Sequence, residues 1–136
     1  MNPRHHRKIQ LGSEQGQSLT EFALVLPILA LLLFAVIQFG IVFNNYVTLT
    51  DSTRAGARKA VVSGRLGAGA AQSACLKAVK DSAAGLDTSK LTPSCTSTWG
   101  PGADVKVTAT YPYQISLLGK VVKAGRLSST TTERVE

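Results

Sequence analysis

The chain has 136 residues, a formal net charge of +7, and a hydrophobic fraction of 44%. Its basic residues are scattered without interleaved aromatic side chains, which argues against a nucleic-acid-binding face. Both histidines lie within the first ten residues, far in sequence from the two cysteines, so a zinc site of cysteine and histidine is not indicated. Anionic lipid headgroups, cell-wall polymers and acidic protein subunits are the expected counterparts of this charge.

A short basic segment precedes a long apolar one. Residues 1–16 contain Arg4, Arg7 and Lys8 and lack apolar periodicity, so we predict a disordered leader. The run Phe22–Phe43 has 22 residues and no charge. As a helix it would extend roughly 33 Å, enough to cross a hydrocarbon core of about 30 Å. The sequence therefore predicts a membrane-spanning helix.

This helix is expected to continue past the membrane, so that residues 17–63 form one transmembrane and extended helix. Small residues recur at every fourth position of the extension, and they are Thr48, Ser52, Gly56, Ala60 and Gly64. A stripe of small side chains lets another helix approach closely. We therefore take Ser52, Gly56 and Ala60 as candidate helix-packing residues. The alternative is an alanine-rich helix that contains a glycine by chance.

Residues 64–136 are predicted to form a small extracytoplasmic domain. Glycines in 64–70 predict a hinge, and the apolar pattern of 71–84 predicts a second helix. Alternation of apolar and polar side chains over Val105–Tyr113 predicts a strand. Two further segments have weaker strand signals, residues 91–98 and 127–135. The predicted fold class is α+β, a long membrane-spanning helix followed by one helix on a short antiparallel sheet.

Cys75 and Cys95 both follow the apolar run. A disulfide closing a loop of about twenty residues would contribute ~3 kcal/mol in the chain-entropy model, provided that the domain faces an oxidising compartment. Two buried thiols are the alternative. Basic residues flank the apolar run equally on both sides, so charge alone does not set the orientation. The short leader and the cysteine pair favour an amino terminus in the cytoplasm and a carboxyl-terminal domain outside.

The junction between leader and apolar run carries a recognisable pattern. Gly16-Gln17-Ser18-Leu19-Thr20-Glu21-Phe22, followed by the apolar run, resembles the type IV prepilin processing site. In that class a membrane aspartyl peptidase cuts after the glycine, which implies cleavage between Gly16 and Gln17 here. A glycine suits the position physically, because a backbone without a Cβ extends readily into a peptidase groove.

A longer stretch, residues 16–27, resembles the TadE-like pseudopilins of tight-adherence (Flp) pilus systems. A second match is Arg54–Arg58, where that family shows Arg, a variable or acidic residue, Gly, Ala and Arg; here Ala55 stands in the second place, so any acidic contact there is absent. The resemblance implies a minor pseudopilin-like structural protein in pilus assembly. It also implies three partners: a prepilin peptidase, other pilin or pseudopilin subunits, and the assembly platform. The expected location is the bacterial cytoplasmic membrane, with incorporation into a pilus left open.

Glu21 has two interpretations, since a carboxylate is costly near lipid. In the first, it pairs with the α-amino group that cleavage creates on Gln17, in the same chain or a neighbouring subunit, and fixes the axial register of adjacent helices. In the second, it caps the helix near the headgroups, worth ~0.3–1 kcal/mol from the helix dipole. The prepilin resemblance favours the first interpretation.

No catalytic set can be assembled beyond the membrane segment, since that region has no histidine and its acidic residues are dispersed. We therefore expect no enzymatic activity, no cofactor and no metal. The alternative to the pseudopilin is an uncleaved, single-pass anchored binding module. Such a module would use a basic outer face carrying Lys106, Lys120 and Lys123.

Overall fold

The structure, a computed structural model, describes residues 13–117 and 119–135. Its elements are α1 (Ser13–Ser63), a 3-10 turn (Gly64–Leu66), α2 (Ala68–Ser82), β1 (Thr92–Thr96), β2 (Asp104–Leu117) and β3 (Lys120–Arg134). A long amino-terminal helix, a second helix and a three-stranded antiparallel sheet confirm the predicted α+β class. Residues 1–12 of the predicted leader, which covers residues 1–16, lie outside the described residues.

Helix α1 contains 51 residues and includes Pro27. It begins at Ser13, four residues before the expected start at Gln17. Among the residues that the structure describes, it is the one helix long and apolar enough to be a candidate membrane span, and none of the side chains in its most apolar window is buried. The chain divides into two compact units, one ending at Val36 and the other covering Ile37–Glu136.

In the second unit, a backbone break separates the two helices. Gly67 has φ 101°, a conformation that only glycine adopts without strain, and α2 begins at the next residue. The buried side chains of α2 are Ala71, Cys75 and Val79. Because they recur every four residues, they form one apolar face of this helix.

The sheet has the order β1-β2-β3, so β2 is central. Val105, Val107 and Ala109 of β2 are fully buried between more exposed neighbours, which confirms the alternation predicted for this strand. Strand β1 contains Pro93, which an edge strand tolerates because one side of its backbone has no partner strand. Since β1 pairs only with residues 106–110 of β2, the stretch 111–117 pairs with β3 alone.

One core joins the last turns of α1, helix α2 and the inner face of the sheet. Its buried apolar side chains are Leu49, Ala57, Ala60, Cys75, Val79, Ala83, Leu86, Leu91, Cys95, Val105, Val107, Ala109 and Val135. The sheet therefore carries two helical segments where the sequence predicted one. The additional segment is the small-residue part of α1, whose short side chains allow close packing.

Candidate processing junction and helix-packing face

The Gly16–Gln17 peptide bond lies in the amino-terminal part of α1, and the side chains of residues 17–20 are exposed. The Thr20 hydroxyl donates a hydrogen bond to the Gly16 carbonyl oxygen at 2.9 Å. One helical turn separates these residues, so the carbonyl of the predicted scissile bond is held within the helix. Hydrolysis at this bond therefore requires the start of α1 to unwind.

Among the residues that the structure describes, no side chain packs against Gly16. A Cβ built at this position would meet no atom within 4 Å. A glycine within a helix costs roughly 0.5–1 kcal/mol relative to alanine, so it needs a compensating reason. The described residues supply none at Gly16.

Gln17 and Glu21 contact each other along α1. The Gln17 side-chain Nε2 donates a hydrogen bond to Glu21 Oε1 at 3.2 Å. Both residues are exposed. Four-residue spacing places them on the same side of the helix. The carboxylate is therefore already directed towards the residue that would become the amino terminus after cleavage.

The predicted packing stripe faces the interior of the same chain. Ser52, Gly56 and Ala60 are all buried. A Cβ built on Gly56 would overlap Val79 Cγ2 of α2 and would lie 3.5 Å from Val107 Cγ1 of β2. The helix that approaches Gly56 in this structure is therefore α2, and the sheet closes the other side.

The stripe is visible in the sequence, but its packing partner Val79 is not. The signal was present in the spacing of α2, where Cys75 and Val79 are four residues apart and share the buried face. The pattern does not specify that α1 would pack against α2. Contacts between distant segments are set by the whole fold, and local periodicity does not encode them.

The predicted disulfide is present between Cys75 of α2 and Cys95 of β1, with 6.5 Å between the two Cα atoms. Both cysteines are buried, with exposed fractions of 0% and 2%. The Gln72 side chain also donates a hydrogen bond to the Cys95 carbonyl oxygen at 3.4 Å. The disulfide therefore links the edge strand β1 to α2 inside the core.

The three lysines of the alternative interpretation are exposed, but they do not form one patch. Lys106 pairs with Thr132, whereas Lys120 pairs with Leu117, eleven residues further along β2. At about 3.3 Å per residue, the two pairs are separated by roughly 36 Å along the strand. The structure thus divides the expected basic face into two separate regions.

An open cleft of about 400 Å³ lies between α1 and the sheet. It is lined by Ile41, Val42, Asn45, Lys90, Tyr111, Pro112, Tyr113 and Gln114. These lining residues include no carboxylate, histidine or cysteine. Among the described residues, no group of three or more His, Cys, Asp or Glu side chains is arranged to hold a metal ion.

The fold thus defines an α+β protein whose amino-terminal helix is a candidate membrane anchor. Residues 16–58 match the family model described as TadE-like protein. The match covers both the junction at Gly16 and the motif Arg54–Arg58, and it confirms the resemblance to TadE-like proteins. This chain therefore carries a TadE-like segment over most of α1. No curated protein and no solved structure matches the chain.

Proposed function

We propose that the protein is a minor pseudopilin-like structural subunit in the assembly of a tight-adherence (Flp) type IV pilus. The observation that carries the proposal is the extent of the TadE-like segment, which begins at Gly16 and includes the apolar run and the Arg54–Arg58 motif. A tight-adherence pilus system is the context that this family suggests. The specific role of the subunit, its processing and its partners belong to the proposal.

Processing by a prepilin peptidase between Gly16 and Gln17 is the first step of the proposed role. The absence of packing around Gly16 supports it, because nothing within the described chain explains the glycine. An exposed helix terminus also supports it, since terminal turns open at a low free-energy cost. The peptidase would bind the segment after the first turns of α1 have unwound.

Glu21 would then become an assembly contact. Cleavage gives Gln17 a positively charged α-amino group, and Glu21 lies one helical turn away on the same side. The carboxylate would pair with this group in its own chain or with that of a neighbouring subunit. An opposite charge offsets part of the cost of placing a carboxylate near lipid. A neighbouring helix in the wrong axial register would not place its α-amino group beside Glu21, and this offset would be lost.

We further propose that α1 anchors the protein in the bacterial cytoplasmic membrane, with the amino terminus inside and the disulfide-linked unit outside. The Cys75–Cys95 bond supports this orientation, because disulfides persist in oxidising compartments. Other pilin or pseudopilin subunits and the assembly platform would meet the apolar part of α1. Its large side chains are exposed in the single chain, including Phe22, Leu32 and Phe39.

The proposal is tested by complementation in the native host. A deletion strain that lacks tight-adherence pili should regain them with the wild-type chain and should not regain them with Gly16→Arg, which blocks cleavage. Gly69→Arg is the matched control, because Gly69 is an exposed helical glycine whose added Cβ would meet nothing within 4 Å. Pili restored by Gly16→Arg to the same level as by Gly69→Arg would overturn the proposed role of processing.

A further inference from the structure

The hairpin formed by β2 and β3 runs beside α1 towards the apolar run. Directly after α1, a Cβ on Gly64 would lie 3.5 Å from Val135, which follows β3. Further towards the amino terminus, Thr53 Oγ1 lies 2.9 Å from Thr131 Oγ1. From Gly64 back to Thr53 of α1, the contacting residue therefore changes from Val135 to Thr131 of β3.

The same progression continues to the end of the apolar run. Ile41 and Val42, next to its last residue Phe43, line the cleft together with the β2 residues Tyr111–Gln114. Residues 37–43 belong to the same compact unit as the sheet. The hairpin thus reaches the level at which α1 would enter the bilayer.

The hairpin does not end there. Beyond Tyr113, strand β2 continues to Leu117, four residues that extend roughly 13 Å. Strand β1 does not cover this part, and the chain reverses at Gly119, which has φ 79°. If α1 crosses the membrane as far as Phe43, this uncovered end of the hairpin lies on the membrane side of the cleft.

The end of the hairpin exposes adjacent apolar side chains. Val121 and Val122 have exposed fractions of 57% and 67%. Ser116 pairs with Val121 and Ile115 with Lys123, so Val122 is an extra residue in β3, at a bulge. A bulge interrupts the regular alternation of side chains. In water, exposed valines on an edge strand would favour aggregation.

The charge around these valines has one sign. Residues 105–132 contain four basic residues and no acidic one. Two of the four, Lys120 and Lys123, lie at this end, and Arg126 pairs with Pro112 beside the cleft; all three are exposed. Apolar side chains flanked by basic ones are typical of segments that lie in the interface of anionic membranes.

We propose that the end of the β2–β3 hairpin docks on the anionic surface of the membrane that α1 spans. Val121 and Val122 lie at the boundary of headgroups and acyl chains, and Lys120, Lys123 and Arg126 bind lipid phosphates. The unit is thereby attached at two points, the helix and the hairpin, which fixes its orientation on the bilayer. This inference rests on α1 as a membrane span and is independent of cleavage and of any role in a pilus.

The test uses the full chain reconstituted in bilayers, with Trp99→Phe removing the native tryptophan and Val122→Trp reporting on the tip. Bilayers of equimolar phosphatidylglycerol and phosphatidylcholine are compared with phosphatidylcholine alone, each with and without lipids brominated near the headgroup. We expect a blue-shifted emission that brominated lipid largely quenches in the anionic bilayer, and weaker quenching in phosphatidylcholine. Thr130→Trp, at an exposed position further along β3, is the matched control and should emit as in water.

Charge reversal provides the second arm. Lys120→Glu combined with Lys123→Glu should abolish quenching at position 122, whereas Lys59→Glu combined with Lys80→Glu, at exposed positions on the helices, should leave it unchanged. Emission at position 122 that matches position 130 in both bilayers would overturn the proposal. A blue shift without quenching by brominated lipid would also overturn it, because the tip would then be buried against protein, such as a second copy. Quenching that is equal in both bilayers and insensitive to charge reversal would exclude recognition of anionic lipid.

Discussion

Gly56 of α1 and Val79 of α2 pack so closely that any side chain on Gly56 would overlap the valine methyl group Cγ2. The Cys75 carbonyl oxygen, at 3.4 Å from the same hypothetical Cβ, closes the space on one side, and Val107 closes it on the other. Neither the α2 backbone at Cys75 nor strand β2 at Val107 can move away easily. The glycine is therefore what allows two helices and the sheet to share one core.

Gly56→Ala should destabilise the unit that contains the sheet by about 1–3 kcal/mol, the usual cost of overpacking a close contact. Urea unfolding of the detergent-solubilised chain, followed by circular dichroism, measures this change. Gly69→Ala is the control, because Gly69 lies in α2 and its added Cβ would meet nothing. It should stabilise the chain by roughly 0.5–1 kcal/mol through helix propensity. Equal effects of the two changes would contradict the close packing.

Shortening the opposing side chain should relieve the overlap. Val79→Ala alone creates a cavity and destabilises the core. Combined with Gly56→Ala, it should cost less than the sum of the two single changes, with a coupling of about 0.5–3 kcal/mol. Strict additivity in this double-mutant cycle would show that Gly56 and Val79 do not meet.

Removal of the disulfide should lower the free energy of unfolding by about 3 kcal/mol, because Cys75 and Cys95 are separated by 20 residues and the open loop has more freedom when unfolded. Cys75→Ala combined with Cys95→Ala tests this by urea unfolding. Since both cysteines are buried, a thiol-labelling reagent added after mild reductant should react with the wild-type chain only when denaturant is present. Rapid labelling of the folded chain would be inconsistent with a bond inside the core.

A part-buried hydroxyl contact connects the buried Thr53 of α1 to Thr131 of β3. Thr53→Val removes the 2.9 Å hydrogen bond to Thr131 and leaves the Thr131 hydroxyl without this partner, so it should cost about 1–3 kcal/mol. Thr108→Val is the matched control, because its 3.0 Å contact with Thr130 is exposed to water. The control should change stability by less than about 0.5 kcal/mol. A loss at Thr108 as large as that at Thr53 would contradict the difference in burial.

Asp87 should titrate below its ordinary pKa of 3.8. Hydrogen bonds from the Ser89 side chain and from Lys90 stabilise the carboxylate, and the Ser89 backbone N–H adds to them, so the pKa is lowered. A carboxyl with a lowered pKa in the folded state favours folding above pH 3.8, and that contribution is lost as the pH falls through the folded-state pKa. An NMR titration should show that Ser89→Ala raises the Asp87 midpoint, and an unchanged midpoint would remove Ser89 as the main cause.

Local patterns predicted the elements whose signal lies in their own residues. The apolar run and the alternation of β2 are confirmed. The first reflects one uniformly apolar environment, and the second reflects one buried face of a strand. Strand β3 was predicted only over 127–135, although it begins at Lys120. Its first part has two adjacent valines at a bulge, which breaks the alternation that marks a strand.

The remaining features depend on contacts between distant segments. Helix α2 begins at Ala68, three residues before the predicted start, because the backbone break is confined to Gly67 and Gly69 is tolerated in the helix. The stripe at Ser52, Gly56 and Ala60 was visible in the sequence, but its packing against α2 and β2 was not. The close contact between Gly56 and Val79 joins segments 23 residues apart, and no period within either segment specifies it.

If the chain is processed like a prepilin, its mature amino terminus is the residue that follows Gly16. The protein is isolated from the membranes of its native host, and its terminal peptide is identified by mass spectrometry. A terminus at Gln17 is the expected result, with Gly16→Arg retaining the leader. An intact leader on the wild-type protein, in cells with an active prepilin peptidase, would show that the chain is not processed at Gly16.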